Sequence, residues 1–142
     1  MWVKFSSPTE TMFLNMDGVN ILDVNEHSSS VGIKISAYMV TDRVHTIHLP
    51  QMTKDQAQEL MFKIPTSPMP TSSVNGFVRM SSSGPTLINI NNMSMVRMVN
   101  AKRMMETDIL KGAHSASGTV ADVAEATRAV EGLLAGRFFN FE

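Results

Sequence analysis

The chain has 142 residues, no cysteine, and a formal net charge of −1 from 12 Lys and Arg against 13 Asp and Glu. With 43% apolar and 18% charged residues it has the make-up of one globular domain, too apolar for a wholly disordered chain. These totals exclude a disulfide framework, a thiolate nucleophile and cysteine-based zinc or iron–sulfur sites, and they restrict any nucleic-acid role to a local face.

No apolar run approaches the roughly 20 residues of a bilayer-crossing helix. The start MWVKF lacks the charged-then-apolar layout of a secretion signal, so the expected setting is cytoplasmic, without a membrane partner. The 13 methionines fit either adaptable core filling or a re-packable binding surface.

In chain order, WVKF (2–5) reads as a strand, followed by a Ser-rich turn, TMFLNM (11–16), an Asp17-Gly18 turn and VNILDV (19–24). HSSSVG (27–32) reads as a loop. Ile33 to Met39 alternates with period two, and Arg43 to Leu49 gives a further strand. Thr53 and Gln56 form a capping box before a helix whose Ala57, Leu60, Met61 and Ile64 share a face; Pro65 stops it. Residues 65–75, rich in Pro, Ser and Thr, read as a linker.

The second half repeats the first. FVRMSS (77–82) matches WVKFSS (2–7), and Leu87 to Val96 matches Phe13 to Leu22 with one residue of gap. Val3/Val78, Ser6/Ser81, Ser7/Ser82 and Asn15/Asn89 are identical. AKRMMETDILKG (101–112) and ASGTVADV (116–123) supply later strands. Val123, Ala126, Val130, Leu133 and Leu134 make a helical stripe, with Gly136 at the C-terminal cap. The expected fold is α+β: two tandem copies of a ββββα unit, 1–64 and 76–136, packed as one pseudo-symmetric body with antiparallel sheets. Residues 65–75 join the copies and a Phe-rich tail, 137–142, follows them. Half a chain buries too little apolar surface to stand alone.

Side chains alternate along a strand, so Trp2 and Lys4 share a face, as do Phe77 and Arg79, and as do Lys34, Ser36 and Tyr38. Aromatic rings beside cations suit single-stranded nucleic acid, because bases stack on the rings for about 1–3 kcal/mol each while the cations track phosphates. The expected contacts are stacking on Trp2, Phe77 and Tyr38, with phosphates held by Lys4, Lys34, Arg79 and Arg97. In the structural alternative, Trp2 and Phe77 are core residues and Lys4 and Arg79 snorkel from the rim.

Two units of strands closed by a helix, with aromatic and basic residues at matched strand positions, resemble the Whirly and PUR families of single-stranded nucleic-acid-binding proteins. The Met-rich, cysteine-free composition and small size suggest a phage product, similar in kind to the single-stranded-DNA-binding proteins of N4-like phages. The resemblance implies a sequence-tolerant binder of single-stranded DNA, or RNA, acting as a homo-oligomer in phage replication or transcription, in the host cytoplasm. It implies neither catalysis nor a cofactor. Phe138, Phe139, Phe141 and Glu142 resemble the partner-docking tips of such proteins and would recruit a replication or transcription protein; alternatively the rings fold back to seal a core.

No catalytic constellation is visible. His45 and His48, three apart in a strand, point to opposite faces and cannot share a metal; Asp17-Gly18 is a turn. His114-Ser115 lacks an acid partner or a nucleophile elbow. Two other readings stand beside DNA binding: an oligomer that sequesters a small signalling nucleotide, and a structural, partner-recruiting adaptor.

Overall fold

The computed structural model describes residues 1–26, 31–64, 77–79, 87–90, 93–109 and 115–142, with backbone alone at 77–79, 87–89, 109, 115 and 116. Its elements are β1 (Trp2–Ser6), β2 (Glu10–Asn15), a 3-10 turn (Met16–Gly18), β3 (Val19–Glu26), β4 (Ile33–Met39), β5 (Val44–Leu49) and α1 (Lys54–Lys63). There follow β6 (Phe77–Arg79), β7 (Leu87–Asn89), β8 (Met93–Val99), β9 (Met104–Ile109), β10 (Ser115–Thr119), α2 (Val123–Leu134) and β11 (Phe138–Phe141).

A large six-stranded sheet has the order β10-β9-β8-β2-β1-β11, antiparallel except that β11 runs parallel to β1. A small antiparallel sheet has the order β3-β4-β5, and β6 pairs with β7. Because side chains alternate, the large sheet feeds two cores. Val3, Phe5, Met12, Leu14, Met95 and Phe141 meet Ile35, Ile47 and Leu49 of the small sheet and Ala57 of α1. On the opposite face Trp2, Phe13, Val96, Met98 and Met105 meet Val130 and Leu134 of α2. The body is therefore layered: α2, large sheet, then small sheet with α1.

Local signals place the helices. Thr53 accepts from the Gln56 amide and the Gln56 side chain accepts from the Thr53 amide, so the capping box forms. Asp122 caps α2 in the same sense. The helix ends where Ala135 turns left-handed at φ 51° and Gly136 follows at φ 73°.

The α+β class with antiparallel sheets matches expectation, but the sheets do not divide along the two expected ββββα units. β1 and β2, from 1–64, lie in one sheet with β8, β9 and β10, from 76–136. The pairing of the two halves also differs: β1–β2 sits inside the large sheet, whereas β6–β7 pairs only within itself among the described residues. Linker 65–75 lies outside the described residues. Residues 138–141 are a strand and not a tail. The Phe141 ring packs 5.0 Å from Phe5, and Phe138 meets Phe13 edge-on at 5.8 Å, because the parallel register with β1 carries these rings into both cores.

Candidate functional site

Of the residues expected to bind a strand of nucleic acid, Trp2 is 9% exposed, closed over by Phe138 and the α2 stripe. It shares a face with Lys4 as expected, but that face is the floor beneath α2. Lys4 reaches out from under the helix to Glu131, Nζ to Oε1 at 2.7 Å. The side chains of Phe77 and Arg79 lie outside the described residues, as does His114. Fluorescence checks the Trp2 placement: a blue-shifted emission, little quenched by iodide and unchanged by oligo-dT, is expected. A red-shifted, readily quenched emission would place the ring outside.

Lys34 and Tyr38 do lie on a solvent face. Ile21 of β3, Tyr38 of β4 and Val44 of β5 stand opposite one another in register on the outer side of the small sheet. They are 59%, 42% and 50% exposed, and Val40, just beyond β4, is 51% exposed. Further along the same face come Asp23, Ser36 and Thr46, then Asn25, Lys34 and His48. Asp23 accepts from the Asn25 amide at 2.6 Å, and the His48 ring lies 2.9 Å from the Val31 carbonyl oxygen. The face thus offers an apolar row with one lysine and one aspartate. Singly exposed apolar residues mean little, whereas a contiguous row marks a contact surface.

Arg97 lies off this row, with its side chain 17% exposed. From β8 it crosses to the small sheet, donating from Nη2 to the Thr46 carbonyl at 2.7 Å, with Nε 3.9 Å from Glu10. It lines a cleft of about 470 Å3 with Arg43, His45, Glu106, Asp108 and Ser117. Asp108 of β9, 3% exposed, accepts from Arg43 Nη1 at 3.0 Å, and its Oδ2 is 2.6 Å from His45 Nε2. The cluster fastens β5 to β8 and β9 where the intersheet core gives way to polar side chains. His45 and His48 fall on opposite faces of β5, His45 on the side of Ile47 and Leu49.

No protein-family model, curated protein or solved structure matches this chain.

Burial lowers the pKa of His45; Asp108 opposes this, while Arg97 and Arg43 add to it. Below the ordinary histidine value of about 6.5 the unfolded chain binds a proton that the folded one resists, so stability rises with pH there and falls on acidification. The urea midpoint is expected to drop between about pH 7 and pH 5.5, less steeply in His45→Gln. An unchanged slope in the variant would remove His45 as its origin. Sequence reasoning missed Arg43, His45 and Asp108 as a group. The available signal was polarity at inward-phase positions: His45 alternates with Ile47 and Leu49, and Asp108 stands opposite Met95.

Proposed function

We propose that the protein is a non-catalytic adaptor that docks an apolar protein partner on the outer face of its small sheet, and that it is built from a duplicated unit of strands closed by a helix. The observation carrying the adaptor reading is the exposed row Ile21, Tyr38 and Val44, continued by Val40. Burying four half-exposed side chains of this size contributes roughly 3–6 kcal/mol before association costs. A single-stranded nucleic acid would find one stackable ring on this face, for about 1–3 kcal/mol, where micromolar binding requires roughly 8 kcal/mol. Its phosphates would meet on this face one lysine, Lys34, and one aspartate, Asp23, a register step away, so the electrostatic contribution is small.

The duplication is supported by order and by irregularity. Each half runs hairpin, three-stranded meander, helix. β3 shifts register between Val19 and Ile21, and β8 between Met93 and Met95, the positions that the sequence repeat matches. Bulges are built features of a strand, so a shared one fits common origin.

A photo-reactive aromatic residue in place of Tyr38, tested in extracts of cells that make the protein, is expected to give one discrete protein adduct. The adduct should vanish when Ile21 and Val44 are both serine, and should be absent when the probe replaces the exposed Arg128 on α2. Equal labelling from both positions, or none from position 38, would overturn the reading.

A further inference from the structure

A free two-stranded hairpin is marginal in water, and one with strands of three residues is more so. β6–β7 has strands of that length and pairs with no other strand among the described residues, with Phe77 opposite Asn89, Val78 opposite Ile88 and Arg79 opposite Leu87. β3 meanwhile is an edge strand, and its outer side pairs with no other strand among the described residues. Unpaired donors and acceptors along an edge are a template for another strand.

The other half of the molecule shows how this template is filled. There the hairpin β1–β2 lies along β8, the first strand of the following meander, with Phe13 opposite Val96 and Leu14 opposite Met95 in antiparallel register. The sequence repeat carries Phe13 onto Leu87, Leu14 onto Ile88, Val96 onto Leu22 and Met95 onto Ile21. We infer that the β6–β7 hairpin docks within its own chain along the outer edge of β3, antiparallel, with Leu87 opposite Leu22 and Ile88 opposite Ile21. This rests on the duplicated-unit reading above. It completes a five-stranded sheet of order β5-β4-β3-β7-β6, the counterpart of β10-β9-β8-β2-β1. In that register position 88 stands opposite Ile21, in line with Tyr38 and Val44 across the sheet.

Because the chain has no cysteine, paired substitutions report the register directly. Under mild oxidation Ile21→Cys with Ile88→Cys is expected to form an intrachain disulfide as fast as Glu10→Cys with Val99→Cys, a pair already opposed between β2 and β8. Asn25→Cys with Ile88→Cys should lag far behind. Oxidation into covalent dimers, equal rates for the 25/88 pair, or no 21/88 bond while the 10/99 bond forms would each overturn the intrachain docking. None of these would touch the adaptor reading, which is judged by the adduct at position 38. In the unaltered chain, amide exchange along β3 should be slow at alternate residues on its outer side. Uniformly fast exchange there would also overturn the docking.

Discussion

Phe141→Ala is expected to lower the unfolding free energy by about 3–5 kcal/mol, read as a shift in the urea midpoint at constant slope. The size follows from position: Phe141 is fully buried, packs on Phe5, and is held there by pairing of β11 with β1. A ring on a free partner-docking tail would cost nothing when removed. Asn140→Ala, one residue away and exposed, should stay within about 0.5 kcal/mol of wild type. A loss below about 1 kcal/mol for Phe141→Ala would return residues 138–141 to the status of a tail.

Asp108→Ala is expected to cost about 3 kcal/mol. The carboxylate is nearly inaccessible, and it answers both Arg43 and His45 across the gap between β9 and β5. Its removal leaves Arg43 without this partner and unfastens one end of the small sheet. Part of the cost is moderated because Arg43 keeps access to water and His45 is held toward its neutral form. A double-mutant cycle between Asp108→Ala and Arg43→Ala should give a coupling of about 1–3 kcal/mol. Strict additivity would mean that the two side chains do not act together.

What the sequence made legible was local. The capping box at Thr53 and Gln56 needs four consecutive residues, and the alternation of Ile33 to Met39 needs seven; both formed as read. The pairing of Trp2 with Lys4 on one face was equally legible, but not which face met water. β1 lies between β2 and β11 with layers on both sides, and a strand buried on both faces carries no outward phase. Lys4 escapes at the rim through its long stem, leaving an alternation like that of a solvated strand. The β11 strand was illegible for another reason: its parallel partner is at the opposite end of the chain, and four residues before a terminus give no periodicity of their own. Arg97 looked like a surface cation because nothing near it in sequence reveals Glu10 or the Thr46 carbonyl.

Among the described residues, the outer face of the small sheet presents an apolar row with one lysine and one aspartate, and the adaptor proposal assigns that face to a protein rather than to a polyanion. Fluorescence anisotropy of a labelled thymidine oligomer at about 0.15 M salt tests this directly. No binding is predicted up to about 0.1 mM protein. Submicromolar binding that is lost in Tyr38→Ala and Lys34→Ala would contradict the account.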